Sequence, residues 1–208
     1  MPPMRTICRV LPCFLLVTSV SFGCPVRAVD FVTYTDKAAF LAALASSSTD
    51  TFDNLGTPGQ FVAPPANRTT GPHQDSIGSE GSLYLTGTVG DVWVTAELAN
   101  YDLTFTMSAG NPTAIGGYFH VLNASNAVTS GTVNVSINGG QFLQVSTTNS
   151  ATNFPGWVST NSTPITNLVV DAFNDDGPPF YATANTLVLG QMIPVPEPST
   201  YAFGSPRL

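Results

Sequence analysis

Two-residue alternation of apolar and polar side chains runs through most of the chain from Ser82 to Leu189, in segments too short and too often broken by turn residues to be helices. SLYLTGT (82–88), DVWVTAEL (91–98) and YDLTFTM (101–107) each keep the period of a half-buried strand. AIGGYFHVL (114–122), GTVNVSIN (131–138) and QFLQVST (141–147) follow. Between the last two, Asn138-Gly139-Gly140 reads as a hairpin tip, because Asn and Gly tolerate positive φ. Segments 154–160, 165–173 and 181–189 bring the total to roughly ten strands at the spacing of a sandwich. With no helices between them, the strands argue against a parallel α/β sheet. The pattern predicts an all-β antiparallel two-sheet sandwich of jelly-roll type. Within it, alternation is read as placing Trp93 in the core, with Val92 and Val94 facing away.

Upstream, TDKAAFLAALA (35–45) is the one helix candidate: Phe40, Leu41 and Leu44 share a face, and Thr35 or Asp36 can cap its start. Residues 49–55 then lead into a loop over 56–80, crowded with Gly, Pro, Asn and Ser and holding Arg68 and His73. From Gly190 the alternation stops, and Pro194, Pro196 and Pro198 suit no sheet interior. The expected organisation is a signal peptide (1–28), a sandwich domain (29–190) and a tail (191–208).

The first segment carries Arg5 and Arg9, an apolar run over 10–22, and a small-residue cleavage site at Val26-Arg27-Ala28. That run falls short of the roughly 20 residues of a membrane span. Cleavage after Ala28 is expected, with a lipid-bearing Cys24 as the alternative. It would remove Cys8, Cys13 and Cys24, all the cysteines, and leave 180 residues with a formal charge of −10. No disulfide then supports the fold, so the core must. Arg68 and Arg207 enclose 138 residues without a single Lys or Arg. This excludes a nucleic-acid or polybasic membrane surface, both of which need clustered cations.

Catalytic patterns are sparse. His73 and His120 are far apart and form no H-E-x-x-H; His73 reads as an exposed loop residue and His120 as a solvent-side strand residue facing opposite to Phe119. Gly78-Ser79-Glu80-Gly81 is only a near miss to G-x-S-x-G, and Lys37, the sole lysine, lies in no phosphate loop. A glycoside hydrolase needs two carboxylates. Asp91, Glu97 and Asp102 form one candidate set and Asp75 with Glu80 another, while solvated turn and edge acids are the plainer reading. No cofactor is expected beyond a structural calcium ion, for which Asp171, Asn174, Asp175 and Asp176, or Asp50, Asp53 and Asn54, offer oxygen ligands. The same residues make ordinary turns. Trp93, Trp157, Tyr101, Tyr118 and Tyr181 have flat faces able to stack on sugar rings, although most must be core; Trp157, beside the Phe154-Pro155-Gly156 turn, is the candidate glycan contact among them, with core packing as its favoured reading.

The tail reads Val195-Pro196-Glu197-Pro198-Ser199-Thr200, which resembles the sorting signal of the PEP-CTERM proteins. In that family the motif precedes an apolar helix and a basic cluster and is handled by an exosortase. Here only YAFGSPRL follows, which puts anchoring in doubt and leaves a soluble chain expected. The body resembles a domain of such proteins through a helix followed by Thr51-Phe52-Asp53, then Gly116-Gly117-Tyr118-Phe119, Gly131-Thr132-Val133, Pro164-Ile165-Thr166-Asn167-Leu168 and the final 181–190 segment. Ala184-Asn185 stands where members commonly have Asp-Asn. The tail motif is also catalogued through an ice-binding protein that carries it, a label covering the tail alone. The resemblance implies an exported surface or matrix protein and implies no reaction; the chain is expected to be a non-enzymatic envelope or matrix protein, with extracellular polysaccharide as partner and an exosortase-type processing enzyme if the tail is functional. Glycan binding is the leading expectation. The alternatives are a carbohydrate-active hydrolase and a structural matrix or ice-interacting protein; the latter would need a regular Thr array, and the Thr spacing shows no sustained repeat.

Overall fold

The computed structural model describes residues 31–147, 153–172 and 179–194; the signal segment and the Val195–Thr200 motif lie outside them. Numbered in chain order, fifteen strands among the described residues form two sheets in which every pairing is antiparallel. The first sheet runs β1 (Phe31–Tyr34), β13 (Gly156–Ser159), β9 (Ala114–Leu122), β15 (Tyr181–Met192), β7 (Asp91–Ala96), β6 (Leu83–Thr88) and β3 (Phe61–Val62). β10 (Val128–Thr129) adds to β9, and β2 (Leu44–Asp50) adds to β15. The second sheet runs β12 (Gln141–Thr147), β11 (Gly131–Ile137), β14 (Asn167–Ala172), β8 (Leu103–Ala109), β5 (His73–Gly78) and β4 (Ala66–Thr70). The expected antiparallel sandwich is therefore what the chain forms.

The main core lies between the sheets. Ile115, Phe119 and Val121 of β9, Leu83 and Leu85 of β6, and Ala182, Ala184, Leu187 and Leu189 of β15 meet Phe105, Val133, Val135, Leu168 and Val170 from the facing sheet. β15 is twelve residues long and changes partner along its length. β9 flanks one side from Tyr181 to Gly190, while on the other side Thr183 and Ala184 pair with β7 and Leu187–Met192 pair with β2. An irregularity between Ala184 and Thr186 marks the changeover. The helix α1 (Lys37–Ala42) is shorter than the expected 35–45, with the Asp36 carboxylate accepting from Ala39 N at 2.7 Å as its cap. Its Phe40 packs on Ala114, Phe154, Val158 and Val188, so one end of the first sheet is covered on both faces.

Several expectations are overturned. Val92 and Val94 are the core residues of β7, and Trp93 is on the outer face, half-buried. Register decides it: Val94 lies opposite Leu85, and Trp93 opposite Thr86. His120 does face opposite to Phe119, yet it is 1% exposed because the outer face is itself occupied. The segment 56–80 is not a loop: it contains β3, β4 and β5, and His73 is 2% exposed on β5. The final strand passes Gly190, with the Gln191 amide donating to Gly110 O and Asn111 O and the Met192 N–H donating to Thr113 Oγ1. The sandwich therefore extends at least to Met192, beyond the expected boundary at residue 190.

Candidate functional site

Strand register writes out the outer face of the first sheet. Phe61 lies opposite Tyr84, Tyr84 opposite Thr95, Thr95 opposite Thr183, and Thr183 opposite His120, giving one row across five strands. Side chains two residues along each strand share this face. They give a neighbouring row with Thr86, Trp93, Thr186 and Tyr118, and on the other side one with Glu97, Tyr181 and Leu122. The middle of the first row is closed: Thr95 and Thr183 are buried with their hydroxyls 3.0 Å apart, and His120 meets the Trp93 ring edge-on at a centroid distance of 4.7 Å. Trp93 is fixed in turn by Asn185 in the β15 irregularity. With the Asn185 carboxamide oriented to suit its neighbours, its oxygen accepts from Trp93 Nε1 at 2.9 Å and its nitrogen donates to Asp91 Oδ1 at 3.2 Å.

Toward the β3 edge the same face opens into a groove of about 470 Å³ lined by Phe61, Tyr84, Thr95, Glu97, Leu98, Asn126 and Tyr181. Phe61 is 62% exposed and its ring lies 5.0 Å from that of Tyr84; Leu98 is 44% exposed. Both walls are held without a ligand. On one side Gly59 N donates to Leu85 O and Leu85 N to Gln60 O, docking the turn before Phe61 onto β6. On the other, Asn123 Oδ1 accepts from Ser125 N and Ala127 N, fixing the loop that carries Asn126. Glu97 is held by Ser82 N, which donates to its Oε2 at 2.9 Å. Flat rings beside anchored polar groups suit a ligand with one apolar face and many hydroxyls.

Of the aromatics singled out in the sequence, Tyr181 alone lines this groove. Trp157 is 1% exposed: it lies opposite Ile115, which points between the sheets, so it packs in the main core and offers no face to a sugar. Tyr118 packs edge-on against Phe154 and under the Lys37 ammonium, and Tyr101 lies against the main core. Phe61 and Tyr84 were not singled out. The signal available was an aromatic at the same parity in both FV and SLYLTGT, hidden because 56–80 read as loop.

The carboxylates fall into separate places. Asp75 and Asp50 both pair with the buried Arg68, whose guanidinium stacks over the Phe52 ring at 4.7 Å; Thr70 Oγ1 and Phe52 N also donate to Asp50. Burial pushes the Asp75 carboxyl up, against the pull of Arg68, and burial lowers the His73 pKa. Asp53 accepts from Thr51 Oγ1 and Val92 N. Asp50 and Asp53 are thus satisfied by protein donors. Asp171 accepts from Asn134 Nδ2, while Asn174, Asp175 and Asp176 lie outside the described residues. Among the described residues no three His, Cys, Asp or Glu side chains gather as a metal site. Glu80 and Asp102, one from each hydrolase set, do line a common recess of about 500 Å³. The Asp102 carboxyl is pushed up by partial desolvation, then by Asp171 and Glu80, although as a residue it is exposed.

No family model and no curated protein sequence matches this chain. Among solved structures, the crystal structure of exo-β-1,3-galactanase from Phanerochaete chrysosporium with galactose is similar with a TM-score of 0.36 and 14% identity. The likeness covers 70% of this chain and 29% of that one. At that size it transfers no activity to this chain.

Proposed function

We propose that this chain is an exported, non-catalytic β-sandwich of the cell envelope or polysaccharide matrix, related to the PEP-CTERM proteins, and that it binds glycan in the groove of Phe61, Tyr84 and Tyr181. The observation that carries the binding is the pair formed by the exposed Phe61 ring and the half-buried Tyr84 ring beside the anchored Glu97 carboxylate, in a groove whose walls are already formed. Ring faces pack on the C–H face of a pyranose, and Glu97 and Asn126 meet its hydroxyls. Wall rigidity reduces the ordering cost of binding. The test is a glycan-array screen of the purified chain followed by titration of the best binder against Tyr84→Ala and Phe61→Ala. Each lost ring should weaken binding about fivefold, from roughly 1 kcal/mol of stacking. Binding that ignores both substitutions removes the groove from the argument.

One observation favours a second reading, a carbohydrate-active hydrolase. Glu80 and Asp102 share a recess, and the raised Asp102 carboxyl is the kind of group that serves as a general acid. Release of reducing sugar that disappears in Asp102→Asn would establish it. Silence of the wild-type chain on the glycans it binds would dismiss it.

A further inference from the structure

The ligand class of this groove can be narrowed, on the reading that it is a glycan site. We infer that it takes uncharged polysaccharide and discriminates against acidic ones. An acidic glycan carries carboxylate or sulfate groups that need a cationic donor where they are desolvated. Among the described residues the cations are Lys37 and Arg68, against nine carboxylates. Arg68 is 5% exposed, with its two terminal nitrogens on Asp50 and Asp75. The Lys37 ammonium, at the first residue of α1, sits 5.2 Å over the Tyr118 ring. Neither lines the groove. Both histidines are buried, and burial lowers the pKa of each, so they supply no positive charge at neutral pH.

The groove instead contains a negative charge that stays in place. Glu97 Oε2 is anchored by Ser82 N, on the hairpin partner of its own strand, and Glu97 N donates back to Ser82 O. An anionic sugar stacked on Tyr84 would bring like charges together at a half-buried position, with no counter-charge lining the groove. A carboxylate is acceptor-only, so what it can use from a ligand is a hydroxyl donor. Uncharged hexose polymers supply many of these, and they leave the aromatic faces of Phe61 and Tyr181 free to stack.

Affinity electrophoresis of the full chain through gels containing a neutral β-glucan, a neutral galactan, alginate or polygalacturonate tests this. At least one neutral polymer should retard the chain, and both acidic polymers should do so at least about tenfold more weakly at equal ionic strength. Glu97→Gln, which keeps an acceptor for Ser82 N, should narrow that gap, whereas Tyr84→Ala should weaken retardation by the neutral polymer. Retardation by an acidic polymer that matches the neutral ones and is lost in Tyr84→Ala would overturn the charge selection while leaving the groove as the site. Retardation by none of the four, or retardation indifferent to Tyr84→Ala, would overturn the glycan-site reading and the selection with it.

Discussion

Replacing His120 with phenylalanine should remove a defined share of the acid sensitivity of this fold. The imidazole is 1% exposed and neither ring nitrogen has a partner among the described residues, so burial alone holds its pKa down from 6.5 to about 4. Between those two values the unfolded chain binds a proton that the folded chain refuses. Stability from this group is therefore complete above pH 6.5 and is lost as pH falls toward 4. Each pH unit in that window is worth about 1.4 kcal/mol. The loss reaches about 2 kcal/mol at pH 5 and about 3 kcal/mol once pH is below the folded value. His73 titrates in the same direction, while Asp75 and Asp102, both raised, act oppositely, losing stability as pH rises from 3.8 through their folded values. The wild-type curve is thus a mixture, and the difference between wild type and His120→Phe isolates the one ring.

The assay is urea unfolding of both chains at pH 7.5, 6, 5 and 4.5. A phenyl ring keeps the edge-on contact with Trp93 and removes two polar atoms that are buried without partners, so the variant should be no less stable than wild type at pH 7.5. By pH 5 it should be the more stable of the two by an additional 2 kcal/mol or so. Parallel curves for the two chains from pH 7.5 to 4.5 would refute the reasoning, because they would mean that His120 is protonated equally in the folded and unfolded states.

Three further outcomes follow from the packing. Arg68→Met should cost about 3–5 kcal/mol in urea unfolding at pH 7, because Asp50 and Asp75 would be left buried without a counter-charge. Asn138→Ala should cost about 2 kcal/mol: its side chain accepts from Thr166 N and Thr166 Oγ1 and donates to Pro164 O, and its φ of 50° suits Asn better than Ala. Ending the chain after Gly190 rather than after Pro194 should lower the melting temperature measurably, since it removes the Gln191 bonds and the Met192 side chain, which packs against the group formed by Phe40, Ala114, Phe154, Val158 and Val188.

Alternation made most of the sandwich legible, and the hairpin tip was readable to the residue: Asn138 and Gly139 have φ of 50° and 64°, and Gly140 N donates to Ile137 O. What alternation could not supply was parity where both faces of a strand are covered. In DVWVTA the test for an inward residue, being large and apolar, is met by Val92, Trp93 and Val94 alike, and only pairing with Leu85 and Thr86 separates them. β4 and β5 failed the test for the opposite reason. Their inward positions hold Arg68, Thr70, His73 and Asp75 as well as Ala66 and Ile77, so ANRTT and HQDSIG look polar throughout. Arg68 lies directly opposite Asp75 across the pair, so the strand signal was charge complementarity in register, a quantity that exists only once the pairing is known.

The missed strands and the overlooked groove have one cause. Phe61 is exposed on the two-residue strand β3, at the edge where the first sheet ends, and it gains a partner ring only because the 57–60 turn docks on Leu85. The opposite wall comes from Asn126 and Tyr181, sixty and more residues later, brought over β7 by the pairing of β9 with β15. Each piece is unremarkable locally: an aromatic in a Pro-rich stretch, an Asn in a turn, a Tyr at a strand start. Single sequence windows cannot reveal such a groove, because its chemistry is assembled by register across strands that are distant in the chain. Trp157 illustrates the converse. Its Pro-Gly turn leaves an exposed platform open beside the favoured core reading, and register decides for the core: Trp157 lies opposite Ile115 and turns inward.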